Sequence, residues 1–192
     1  MKVVSVYSPK GGVGKSNLCI NLAGAAVDKG LKVAVVDKDK RQLSCVFIAS
    51  FNALGFPVFD KMLSKKQMEE YDLILIDHAP SLEELPAGDP ILFPYAPSTY
   101  DIGSVTPVID ELRAKGKSVK IVLSKINFQR RESKEFALEQ QQEHGAHIIK
   151  DRSVYLNAGN ECTTIFDKQF KSSYGAKDAR FEMNELLESA LR

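Results

Sequence analysis

An α/β fold, with a mainly parallel β-sheet flanked by helices, is predicted by three features of the sequence. Strand-like apolar runs alternate with helix-length segments along the chain, which is the order that parallel strands joined by crossover helices require. Several runs are almost uninterrupted, as in Leu73-Ile74-Leu75-Ile76, and such strands are covered on both faces. No repeat, low-complexity tract or long linker divides the chain, so residues 1–192 are expected to form one domain.

Taken in order, strands are expected over residues 3–8, 32–37, 73–77, 91–95 and 119–124, with a short sixth over 147–150. The first helix is expected from Ser16 to about Lys29 and is closed by Gly30, which suits a left-handed C-terminal cap. Further helices are expected over 104–115, 131–144, 161–170 and 177–191.

Composition narrows the functional classes. The 192 residues are 44% hydrophobic and 27% charged, as in ordinary soluble domains. No stretch approaches the roughly 18 to 20 apolar residues of a membrane span. The N-terminal Met1-Lys2-Val3-Val4-Ser5-Val6-Tyr7 is too short, and too soon followed by Pro9-Lys10-Gly11-Gly12, to be a signal peptide. A cytoplasmic location is therefore expected. Cys19, Cys45 and Cys162 lie far apart without metal-ligand spacing and are expected to be reduced packing residues. The net charge of +1 does not announce a nucleic-acid binder. Residues 112–134, however, hold Arg113, Lys115, Lys117, Lys120, Lys125, Arg130, Arg131 and Lys134 against one acid, Glu132. That excess could form a phosphate-binding face, although a solvated helix-loop-strand edge explains it as well.

The chemistry concentrates at three motifs. Pro9-Lys10-Gly11-Gly12-Val13-Gly14-Lys15-Ser16 lies between an expected strand and an expected helix, the setting of a phosphate-binding loop. Its glycines allow a tight turn that aims backbone N–H groups at phosphate oxygens, and the helix N-terminus adds partial positive charge. Lys10, Gly11, Gly12, Val13, Gly14, Lys15, Ser16 and Asn17 form the expected cradle, with Lys15 on the β- and γ-phosphates and the Ser16 hydroxyl on Mg²⁺. The usual G-x-x-x-x-G-K-[ST] pattern is not met, because Pro9 replaces its first glycine; K-G-G-x-G-K-[ST] fits, with Lys10 as a second lysine. In Val35-Val36-Asp37-Lys38-Asp39-Lys40-Arg41-Gln42, two carboxylates spaced i, i+2 can both turn toward a metal-phosphate site at the sheet's carboxyl edge. In Tyr71-Asp72-Leu73-Ile74-Leu75-Ile76-Asp77-His78-Ala79-Pro80, an apolar strand ends at Asp77, a candidate to hold Mg²⁺ through water. His78 beside it is read as a spectator, since phosphoryl transfer is mostly positioning and electrostatics.

Together these motifs closely resemble the ParA/MinD family of deviant Walker-type P-loop ATPases, above all the short plasmid-partition ParA proteins. The resemblance runs from Lys2 to about Asp167 and is specific at the three motifs. It implies the P-loop NTPase fold with a deviant Walker A loop, and ATP with Mg²⁺ as cofactors. On it, Lys10 crosses a homodimer interface to the partner's nucleotide, Asp37 supports the Mg²⁺ shell and Asp39 positions the attacking water. The family has D-x-D-P-Q where this chain has Lys40-Arg41 in place of the proline, which lengthens the loop by one residue. Asp77 and Pro80 match the family's D-x-x-P switch. The segment 94–101 resembles a proline-containing loop near the dimer interface, and 149–160 an arginine-containing loop before an alanine-glycine turn and a helix. Lys150 and Arg152 are on that basis candidates for DNA phosphate contact. The segment 81–89 is expected to be barely one helical turn where relatives have a full helix, and, with the first strand opening the sequence, no N-terminal DNA-reading domain is expected. The implied activity is slow, partner-stimulated ATP hydrolysis. The ATP dimer would bind nonspecific DNA during plasmid or chromosome partition, associate with the nucleoid, and answer to a centromere-binding, ParB-like adaptor.

Other readings stay open on the residues. A MinD-like, membrane-cycling role would use the apolar stripe of 179–192, but its polar face carries Glu182, Glu185 and Glu188, which anionic lipid repels. A metabolic ligase or a reductase-activating ATPase lacks room for a substrate domain and a cysteine pair at metal spacing. A non-hydrolysing nucleotide-binding scaffold would follow from the altered Lys40-Arg41 loop.

Overall fold

The computed structural model describes residues 1–81, 85–96 and 99–192 of the chain, with the side chains of 99–101 also outside the description. Seven strands, β1 (Lys2–Val6), β2 (Val33–Asp37), β3 (Val58–Phe59), β4 (Leu73–Asp77), β5 (Ile91–Tyr95), β6 (Val119–Ile126) and β7 (His147–Lys150), form one sheet. Its order is β3-β2-β4-β1-β5-β6-β7, with every neighbouring pair parallel. All the strand C-termini therefore meet one edge, and the loops that leave that edge build the site.

The apolar runs divide by parity, as strands covered on both faces must. Val33, Val35, Leu73 and Leu75 pack with α1 (Lys15–Asp28) and α7 (Ala176–Leu191), while Ala34, Val36, Ile74 and Ile76 pack on the opposite face. A separate cluster of Ile91, Phe93, Ile121 and Leu123 lies with Val105, Ile109, Leu112 and Ala137 from α4 (Thr99–Ala114) and α5 (Arg131–His144). Gly30 takes the left-handed cap expected of it (φ 78°). In α7, Ala179, Met183, Leu186, Leu187 and Ala190 are buried in the core. That stripe is thus already occupied by protein, and using it on a membrane would require undocking the helix.

Three short elements were not foreseen: α2 (Ser44–Ala49), β3 and α3 (Lys65–Met68). The expected helix over 161–170 is corrected. The helix there is α6 (Ser153–Asn160), which contains Ala158 and Gly159 rather than preceding a turn formed by them, and only a 3₁₀ turn, Lys168–Phe170, follows. Side chains redirect the backbone after α6: Thr164 Oγ1 accepts from the N–H of Phe166 at 3.2 Å and Asp167 Oδ1 from that of Gln169 at 2.9 Å, in competition with helical pairing. Leu82, Glu83 and Glu84 of the shortened 81–89 segment, and Pro97 and Ser98 of the proline-containing loop, lie outside the described residues.

Candidate nucleotide and metal site

β1 ends in the glycine loop. Gly12 (φ 73°) and Gly14 (φ 87°) adopt left-handed backbone conformations that disfavour a side chain, and α1 starts at Lys15 with no side-chain cap on its first turn. Its leading N–H groups are thus open to an anion. Lys15, 8% exposed, donates from Nζ to the Lys10 carbonyl at 2.9 Å. Burial lowers its pKa, against the pull of Asp77 and Asp39 nearby. The end of β6 pins the loop from above. Ser124 Oγ donates to the Val13 carbonyl at 2.8 Å, and Lys125 Nζ to that of Gly12 at 2.8 Å. Lys125 does so from a strained left-handed backbone (φ 58°). Sequence reasoning missed Ser124 and met Lys125 only as one of a basic stretch, because the contact of each with the loop depends on the adjacency of β6.

Register brings the two motif aspartates together. Asp77 pairs with Asp37 across β2 and β4, and with Val6 of β1 on its other side. Both carboxylates are buried and their pKa values are raised, Asp77 to about 6, with burial as the leading cause in each case. Asp37 accepts from the backbone N–H of Asp39 (3.0 Å), Cys45 (2.9 Å) and Val46 (3.4 Å). Asp77 has less support. Cys45 Sγ faces its Oδ2 at 3.3 Å, while Oδ1 is buried without a hydrogen bond. The Ser16 hydroxyl lies near enough to favour its charged form without completing that bond. An orphaned buried carboxylate oxygen beside a Ser hydroxyl and a second carboxylate fits a hard divalent cation, which takes oxygen ligands. Ser16, Asp37 and Asp77 could hold Mg²⁺ there, next to a loop shaped for phosphates.

Asp39, 9% exposed, is turned onto its own loop, where Oδ1 accepts from the N–H of Arg41 (3.1 Å) and Gln42 (3.3 Å). The residue that lengthens this loop is thus absorbed in a turn capped by Asp39. His78 is buried, its Nε2 lies 3.0 Å from Ser5 Oγ, and burial lowers its pKa to about 4, so it is a neutral pin. Between the loop and α6 opens a cavity of about 460 Å³, lined by Asn17, Lys125, Ile149, Tyr155 and Leu156 among others.

Two residues named above as candidates for DNA phosphate contact have a partner within the fold. Arg152 is 12% exposed and makes a bidentate pair with Glu182 of α7 at 2.5 and 2.8 Å. Lys150 lies 3.7 Å from the same carboxylate and 4.4 Å over the Phe128 ring. Both cations tie α7 to the wall of the cavity, Arg152 largely covered and Lys150 with 36% of its side chain still exposed. Nor do the basic residues of 112–134 make one face. β6 carries the chain across the sheet, separating Lys117 from Lys125 by on the order of 25 Å, and α5 exposes Glu132, Glu135, Glu139 and Glu143.

A glycine loop ending in a buried lysine, opening a helix beside two carboxylates at the carboxyl edge of a parallel sheet, defines a P-loop nucleotide-binding protein. The chain belongs to the ParA/MinD family of ATPases: the CobQ/CobB/MinD/ParA nucleotide-binding domain model matches residues 4–159. No curated protein sequence matches it significantly. Among solved structures, it is similar to the septum site-determining protein MinD of Pyrococcus horikoshii, complexed with Mg-ADP (TM-score 0.72, 17% identity, 97% of this chain and 96% of that one). A plasmid partition protein of Borrelia burgdorferi bound to AMPPNP has a TM-score of 0.71 at 15% identity, covering 98% of both chains. A Cyanothece McdA complexed with ATP has 0.69 at 18% identity, over 100% of this chain and 96% of the other. At such identities the likeness is one of fold.

Proposed function

We propose that the chain is a single-domain, ParA-type switch that binds ATP with Mg²⁺ and dimerises through the bound nucleotide. As the ATP dimer it binds nonspecific DNA in plasmid or chromosome partition, and hydrolysis, stimulated by a ParB-like adaptor, releases it. The observation that carries the reading is the buried Lys15, held on the Lys10 carbonyl inside an uncapped glycine loop and facing Asp77 and Asp39. Lys15 exchanges that carbonyl for the β- and γ-phosphates, and the open N–H groups of residues 11–17 cradle the rest of the chain of phosphates. Ser16, Asp37 and Asp77 hold the metal ion, which when bound neutralises phosphate charge. Asp39 gives up its turn contacts with Arg41 and Gln42 to orient the attacking water, and Lys10 reaches across to the partner's nucleotide. The cavity beside Tyr155 takes the base. Because the γ-phosphate contacts exist only before hydrolysis, hydrolysis biases the dimer toward separation.

With Arg152 and Lys150 engaged by Glu182, the DNA-facing cations in this reading are the exposed Lys40, Arg41, Arg130 and Lys134 at the same sheet edge. One copy offers too few of them for tight binding, and joining two copies adds their phosphate contacts. The test is retention of nonspecific duplex DNA at low salt. Retention with a non-hydrolysable ATP analogue but not with ADP, fading steeply as salt rises, is the expected result. Equal retention with both nucleotides, or none with either, contradicts the DNA role.

A further inference from the structure

The metal pocket contains a thiol that a hard cation does not call for. One ligand atom each from Asp37, Cys45 and Asp77 lies within 4.8 Å of the others. Asp37 and Cys45 are 0% exposed and Asp77 1%. The sulfur is placed by the carboxylates themselves: the Cys45 N–H donates to Asp37 Oδ2 at 2.9 Å, and Sγ lies 3.3 Å from Asp77 Oδ2. Independently, Asp77 Oδ1 is buried in the same pocket with no hydrogen bond, an acceptor withheld from water and unmatched by a donor. Magnesium prefers oxygen, whereas sulfur joined to two carboxylates is a donor set for softer ions.

We propose that Asp37, Cys45 and Asp77 form a binding site for a thiophilic divalent cation of the zinc or cadmium class, and that its occupation blocks the Mg²⁺-dependent binding of nucleotide. On binding, the Cys45 S–H bond breaks, a metal–sulfur bond forms (about 2.3 Å for zinc), the proton leaves to solvent, and no electron changes hands. The two carboxylates complete a three-ligand set already gathered before the ion arrives; with the thiolate they bring three negative charges to the ion's two, and the Lys15 ammonium interacts with the same pocket through Asp77. The blocking clause rests on the proposed reading of Asp37 and Asp77 as ligands of the nucleotide's metal; the binding clause does not.

Titration of Cd²⁺ into the nucleotide-free, chelator-treated protein separates the two. The expected result is a cadmium–thiolate charge-transfer band saturating at one equivalent. It should persist in the C19S/C162S variant and vanish in C45S. Cysteine mapping of the unsubstituted protein needs no variant at Cys45 and so guards against misfolding: Cd²⁺ should protect Cys45 from alkylation during partial unfolding. A band that survives in C45S, or protection of Cys19 or Cys162 in place of Cys45, overturns the site. In a second arm, Cd²⁺ is added to protein binding a fluorescent ATP analogue with Mg²⁺. Displacement is expected at Cd²⁺ concentrations about tenfold or more lower in the native protein than in C45S. A Cys45–cadmium band without displacement overturns the blocking clause and leaves the site standing. Normal Mg²⁺-dependent nucleotide binding without any thiolate band overturns the site while the proposed function stands.

Discussion

Replacing Asp77 by asparagine is expected to stabilise the nucleotide-free protein while removing its response to Mg²⁺ and nucleotide. Asp77 is 1% exposed, its Oδ1 has no hydrogen bond, and burial raises its pKa from 3.8 to about 6. One pKa unit corresponds to about 1.36 kcal/mol, so the charged carboxylate disfavours the fold by roughly 3 kcal/mol relative to the protonated one. Because the folded value lies above the unfolded one, the stabilisation from this carboxyl is complete below pH 3.8 and is lost as pH rises through 6. The advantage of Asp77→Asn should therefore be full at pH 7 to 8, shrink between 6 and 4, and disappear below. For a chain of this length it corresponds to a rise of about 6–12 °C in melting temperature at pH 7.5. Thermal melts of both proteins with a chelator across that pH range measure it. Adding Mg²⁺ with ADP should then raise the native midpoint and leave the variant's unchanged. A variant that melts below the native protein by a similar margin at every pH would refute the reasoning, since the carboxylate would then be supported rather than strained.

Three further outcomes follow from the contacts. Lys15→Ala should lose measurable binding of a fluorescent ATP analogue, and retained affinity would mean that the glycine loop has been misread. Glu182→Gln strips the partner from an Arg152 that is itself only 12% exposed and should cost about 3 kcal/mol in urea unfolding; a loss under about 1 kcal/mol would show the pair to be effectively solvated. A Cβ on Gly24 would stand 2.6 Å from Thr164 Oγ1 and 2.8 Å from Thr164 Cβ. Gly24→Ala should thus lower stability by about 1–3 kcal/mol despite the better helix propensity of alanine, and a rise in the unfolding midpoint would contradict that packing.

How much of this was legible in the sequence depended on how local the signal was. The six expected strands appear at nearly their expected places because short, largely apolar runs between turn residues and helix-length segments suit a doubly covered sheet. The glycine loop was legible because its chemistry lies within consecutive residues. β3, α2 and α3, of two to six residues, are too short to show a period. The stretch 153–160 was read as a loop and turn because Gly159 and the asparagines hide the i, i+4 pair Val154 and Ala158, which are buried together. Long-range partners left no trace at all. Cys45 meets Asp77 from 32 positions away, and Glu182 meets Arg152 from 30. Sequence alone therefore gives Cys45 as a packing residue and leaves the partner of Arg152 unseen.

The central claim, a switch whose two copies join through bound ATP, is tested most directly by light scattering during size-exclusion chromatography of the native protein and Lys10→Ala. The account predicts a dimer for the native protein with a non-hydrolysable ATP analogue and Mg²⁺, a monomer with ADP, and a Lys10→Ala variant that binds the analogue yet remains largely monomeric. A native protein that binds the analogue and stays monomeric at every concentration tested would contradict it.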